Sequence, residues 1–148
     1  MPRVTRDGVS LFYEYDSNGD DDIVFVEGLG VGRWLWHWQR EGLGDEFGLI
    51  LPDNRGTGTS EAGLPPLVPR LPRILRVLIF NKLVSYSIEQ FAADLDAVLA
   101  DAGVDDVHVV GASMGGMIAQ QYVLDYDRAR SVTLLCTTHG GPDAVPIP

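Results

Sequence analysis

The chain has 148 residues, 45% hydrophobic and 22% charged, with a mean hydropathy of +0.05, which reads as one soluble globular domain large enough to bury a core. Lys and Arg total 11 against 21 for Asp and Glu, a net charge of −10, and this argues against nucleic acid as a partner because phosphate contacts need a basic face. Met1–Asp7 lacks the apolar run of a signal peptide and no stretch approaches the roughly 18 apolar residues of a membrane span, so a cytoplasmic protein off the membrane is expected.

Two compositional details add to this. Lys82 is the only lysine and aspartate outnumbers glutamate, the surface of a protein kept soluble in concentrated salt, so a halophilic habitat is expected. Cys136 is the only cysteine, which rules out an intrachain disulfide and a cysteine-based metal site; its apolar run, Val132 to Cys136, predicts a buried strand residue.

Along the chain, alternation on both sides of Asp7-Gly8 predicts an N-terminal antiparallel hairpin. Ile23–Val26 is a continuous apolar run suited to a strand covered on both faces. Glu27-Gly28-Leu29-Gly30-Val31-Gly32 then leaves the sheet. A dinucleotide fingerprint fits it poorly, because Arg33 stands where the third glycine is needed; a turn presenting the Leu29 N–H toward a site fits better. Arg33 to Glu41 is expected to be a short helix, its three tryptophans mainly packing groups, with Trp34 close enough to the glycine loop to line a pocket. Phe47–Leu51 predicts the next strand, followed by Asp53–Ser60, a loop whose Asp53 and Arg55 are expected to be structural. Residues 61–86 are set apart by four prolines and an apolar segment, as in a lid or insertion. Ser87 and Gln90 form a capping box ahead of a helical stripe that ends at Gly103, with Glu89, Asp94, Asp96 and Asp101 mostly outward. His108 reads as a satisfied strand histidine, a helix is expected from Met114 to about Asp125, Ser131–Thr137 predicts a last strand, and residues 138–148 read as a linker-like tail.

The most informative stretch is the strand Val107–Val110 running into Gly111-Ala112-Ser113-Met114-Gly115 and then a helix. A strand that turns sharply into a helix holds the residue at the bend in a strained conformation with its side chain displayed. Ser113 is that residue, so it is the candidate nucleophile, and the Met114 N–H at the helix start is a candidate oxyanion donor.

Taken in order, the hairpin, Glu27–Gly30 after the third strand, Asp53–Ser60 after the fourth and Gly111–Gly116 after the fifth resemble the α/β-hydrolase fold family, most closely its esterase and 3-oxoadipate enol-lactonase type, over nearly the whole chain. The resemblance implies an α/β fold: a mostly parallel sheet with flanking helices and an antiparallel N-terminal hairpin, an incomplete core ending after the sixth strand. It implies hydrolysis of a carboxylic ester or lactone by Ser113, with Met114 and Leu29 N–H as the oxyanion hole, a small-molecule substrate, and neither cofactor nor metal. Two departures stand out. Glu27 occupies a position where the family often has histidine, and the sequence stops before the family's catalytic acid and histidine. Within the chain, His139 is the candidate base and Asp143 the candidate acid; a truncated hydrolase lacking its acid and histidine, or one completed by a second polypeptide supplying the missing strands, is the stronger expectation. The rival reading is a non-catalytic remnant or interaction module with the same sheet.

Overall fold

Asp7 and Gly8 lie at φ of 50° and 73°, the left-handed pair of a tight hairpin turn, and they join β1 (Arg3–Arg6) to β2 (Val9–Ser17) as the sequence predicts. The computed structural model describes residues 2–63, 72 and 86–144. After the hairpin come β3 (Asp22–Val26), a 3₁₀ turn (Arg33–Trp36) running into α1 (His37–Leu43), β4 (Gly48–Pro52), α2 (Ile88–Ala102), β5 (Val107–Ala112), α3 (Met114–Asp125) and β6 (Ala129–Leu135). Most of the Pro-rich segment at 61–86 lies outside the described residues, although its flanks are pinned where the Tyr86 hydroxyl donates to Ala62 O at 2.5 Å.

The strands form one sheet in the order β1-β2-β4-β3-β5-β6. Pairing is antiparallel for β1 with β2 and β2 with β4, and parallel from β4 through β3 and β5 to β6. From β3 the chain crosses to β4 on one side and later returns to β5 on the other. The C-terminal ends of β3 and β5 therefore flank the switch point where open α/β sheets form their crevices.

Alternation along the central strands divides the core into two faces. Val24, Val26, Ile50, Val107 and Val109 pack under α2 and α3 with Phe91, Leu95, Leu99, Ile118 and Tyr122. Ile23, Phe25, Leu49 and Leu51 meet Trp36 on the opposite face. Of the three tryptophans only Trp36 joins the core; Trp34 and Trp38 are 70% and 74% exposed.

Three expectations need correction. Cys136 is exposed at φ 40°, just past β6, because that strand ends at Leu135 and lies at the edge of the sheet. Asp94 faces inward: it is buried and binds Arg55 through both carboxylate oxygens, with Arg6 added at 3.1 Å. The short 3₁₀ turn also precedes α1 where one helix was expected. Ser87 does cap α2, accepting the Gln90 N–H at 3.2 Å, and Gly103 ends it at φ 72°. No helix among the described residues is long and apolar enough to cross a membrane.

Two outcomes follow from this packing. Asp94→Ala strands the buried Arg55 guanidinium, and urea unfolding is expected to show a loss of about 3–5 kcal/mol. A Cβ on Gly115 would lie 2.1 Å from Val26 O, a backbone atom with no room to retreat. Gly115→Ala is therefore expected to cost about 3 kcal/mol or to prevent folding, read by the same melt.

Candidate active site

Ser113 sits between β5 and α3 at φ 55° and ψ −120°, a conformation that residues with a Cβ seldom adopt. The flanking glycines explain how the chain reaches it. A Cβ on Gly111 would lie 2.3 Å from Gly115 O, so strand and helix backbones touch directly on either side of the serine. The turn is braced by its neighbours: Ser113 N–H donates to Leu135 O at 3.0 Å, and Ser113 O accepts from Gly116 N–H at 3.0 Å and from the Thr137 hydroxyl at 2.6 Å. The Ser113 side chain is left exposed.

The loop after β3 closes on this corner. A Cβ on Gly28 would meet Ser113 Cβ at 3.3 Å and its hydroxyl oxygen at 3.7 Å. Gly30 turns the loop at φ 71°, Val31 N–H donates to Gly28 O at 3.4 Å, and the Leu29 side chain stands 78% exposed. Among the described residues, neither the Leu29 nor the Met114 N–H has a backbone or side-chain acceptor, which for Met114 follows from its place in the first turn of α3. The structure thus brings Ser113, Met114 and the Leu29 loop together.

The loop after β4 supports them from beneath. Asp53 Oδ1 accepts the Arg33 N–H at 3.0 Å, and its Oδ2 accepts the Thr59 N–H at 2.8 Å and the Arg33 guanidinium at 2.6 Å. With Arg55 bound to Asp94, both residues expected to be structural serve loop architecture.

The residue underestimated by sequence reasoning is Glu27. Its side chain is fully buried, Oε1 accepts the Asn54 N–H at 2.7 Å, and Asn54 Nδ2 donates back to Glu27 O at 3.2 Å. Oε2 is buried with no partner among the described residues. Burial pushes the carboxyl up to about 8; the Asn54 and Glu27 amides and the Thr57 hydroxyl act against that, and the Asp53 carboxylate adds to it. The sequence signals were an acid directly after the apolar run Ile23–Val26 and its departure from the histidine often found there in the resembled family.

The remaining histidines lie elsewhere. His108 is on β5 with Nδ1 2.6 Å from the Ser131 hydroxyl, as a satisfied strand histidine should be, and His37 pairs with Glu41 at the surface. His139 is exposed and its Nδ1 accepts the Gly141 N–H at 3.1 Å; Asp143 is also exposed. Among the described residues no hydrogen bond joins His139 to Ser113 or Asp143, and no group of three or more His, Cys, Asp or Glu side chains is gathered as metal ligands need.

Comparison with known proteins agrees with this geometry. The family model for the alpha/beta hydrolase fold matches residues 22–147. The putative carbamate hydrolase RutD of Azorhizobium caulinodans is 32% identical over 136 residues, covering 91% of this chain and 44% of that protein. Among solved structures, Est816, described as an N-acyl homoserine lactone degrading enzyme, superposes with a TM-score of 0.74 at 29% identity over 96% of this chain and 49% of its own. The enol-lactonase of Burkholderia xenovorans LB400 gives a TM-score of 0.74 at 26% identity over 93% and 47%. The chain thus spans about half the length of the relatives it matches. Sheet order, the strand–serine–helix corner and these matches together place the chain in the alpha/beta hydrolase fold family.

Proposed function

We propose that this chain carries the nucleophile half of a serine hydrolase acting on a carboxylic ester or lactone. The observation that supports it best is the Ser113 hydroxyl, exposed at a strained corner with two undonated amides in the adjoining loop and helix start. In this reading Ser113 Oγ attacks the acyl carbon and its proton passes to a base. The carbonyl oxygen becomes an oxyanion received by the Met114 and Leu29 N–H groups. As the tetrahedral species collapses, the base returns its proton to the leaving oxygen, which departs as an alcohol or, from a lactone, as the hydroxyl of the opened ring, and an acyl-serine remains. Water then repeats the sequence and frees the acid. The names of the similar proteins, a putative carbamate hydrolase, an N-acyl homoserine lactone degrading enzyme and an enol-lactonase, support a small-molecule substrate with a hydrolysable carbonyl.

A serine hydroxyl needs an adjacent base, oriented by an acid, to become a good nucleophile. His139 with Asp143 is one source; a second polypeptide bringing further strands is the other, and it suits β6, whose Leu134 and Leu135 are 44% and 41% exposed at the sheet edge. A fluorophosphonate probe tests the reading. Labelling is expected at Ser113 once the chain is mixed with a polypeptide carrying the remaining strands, and none with Ser113→Ala. Labelling of the chain alone, lost in His139→Ala, would assign the base to His139. No labelling in either form returns the chain to the rival reading, an interaction module without turnover.

The acidic, lysine-poor surface supports a protein adapted to concentrated salt in the cytoplasm. Its urea midpoint is expected to rise steeply with added KCl; a midpoint indifferent to salt rejects that adaptation.

A further inference from the structure

Glu27 is a fully buried acid that the chemistry above leaves unused, one residue from the loop that packs on Ser113. It is held from two sides. Asn54 grips it twice, through Oε1 and through its backbone oxygen, and α3 presses on that same oxygen, since a Cβ on Gly115 would lie 2.7 Å away. We propose that Glu27 is a positioning residue: as the neutral acid it ties the Gly28–Gly30 loop to the Asn54 turn and so keeps the Leu29 amide beside Ser113, and ionisation releases the tie. The catalytic part of this inference rests on Leu29 acting as an oxyanion donor; the tie itself does not.

The surroundings favour the acid over the carboxylate. One oxygen has a donor in Asn54 N–H, but Oε2 is buried without one. The Thr57 hydroxyl, which donates to Asn54 O at 2.8 Å, eases a charge on the carboxyl only in part, and burial outweighs it. The charged neighbour is Asp53 on the β4 loop, itself bound to Arg33 from the 3₁₀ turn, and it repels a second negative charge. At Gly28 the nearest atoms of β5 and the serine corner are Ala112 O and the Ser113 side chain, and Gly115 of α3 faces the Val26 and Glu27 carbonyls. A carboxylate in that position has to be hydrated, and water reaches Oε2 only if the loop moves off. The sign is therefore fixed: the loop is held below the Glu27 titration and released above it.

Glu27→Gln separates the two states, because its neutral amide keeps an oxygen for the Asn54 N–H and cannot ionise. In the 148-residue chain, the ¹⁵N–H shifts of Leu29, Gly30 and Asn54 are followed by nuclear magnetic resonance as pH is raised. A shared inflection near pH 8 is expected in the wild type and none in Glu27→Gln. Absence of the inflection from the wild type, or its survival in the variant, overturns the tie. Should the variant fail to fold, the wild-type Glu27 side-chain ¹³C carboxyl shift decides: it must titrate together with the Leu29 amide, and a carboxyl already ionised at neutral pH overturns the proposal.

Ser113 labelling by the fluorophosphonate in the two-polypeptide mixture provides the catalytic arm. The ratio of wild-type to Glu27→Gln rates is expected to fall about tenfold or more across that inflection, and a flat ratio refutes the positioning role. Failure of both proteins to label at every pH defeats the hydrolase reading alone, and the amide titration still decides whether Glu27 holds the loop.

Discussion

Everything at the candidate site depends on the distance at which three backbones pass each other. At the C-terminal ends of β3 and β5, α3 runs so near both strands that Gly111 and Gly115 have no space for a methyl group, and the obstructing atoms are main-chain carbonyls and carbons. Backbone cannot rotate away as a side chain can, so glycine is required there on steric grounds alone. The same crowding puts Ser113 at positive φ and turns its side chain out of both elements. Strain at one residue is thus maintained by close packing at its neighbours, and the exposed hydroxyl is a consequence of that packing.

That constraint was legible in the sequence because it was written in local terms. A strand pattern, Gly-x-Ser-x-Gly and a helical pattern in succession state a bend, and the hairpin turn at Asp7-Gly8 and the Ser87 cap were readable for the same reason. What escaped was set by partners distant in sequence. Asp94 lies on a helix whose charges read as solvent-facing, and the arrival of Arg55, 39 residues earlier, with Arg6 beside it, makes its burial tolerable. Cys136 sits in an apolar run, yet an edge strand has no neighbour to cover it. Glu27 follows four apolar residues and carried no hint that the Asn54 amide would receive it.

These long-range polar contacts share one task. Arg33, Asp53, Asn54 and Glu27 form a buried or half-buried layer in which the loop after β4 holds the start and end of the loop after β3. Apolar packing places the strands, but loops bury little apolar surface and their positions must be set by hydrogen bonds. A carboxylate such as Asp53, with a guanidinium and two amides as donors, is satisfied in that role. Glu27, with one donor and an orphaned oxygen, is the least satisfied member of the layer and the one nearest the serine loop.

The division between what this chain holds and what a hydrolase needs is also physical. The hydrogen bonds of the Ser113 backbone are made with Leu135, Gly116, Met117 and Thr137, and the loop facing it comes from residues 27–32, so the shape of the corner is determined inside the described residues. Proton transfer is a separate requirement: it needs a base in contact with the serine oxygen, and none of the described histidines is bonded to it. Preorganisation of an oxyanion site and activation of a nucleophile are independent contributions to catalysis, so a chain can hold the geometry of the first without the second.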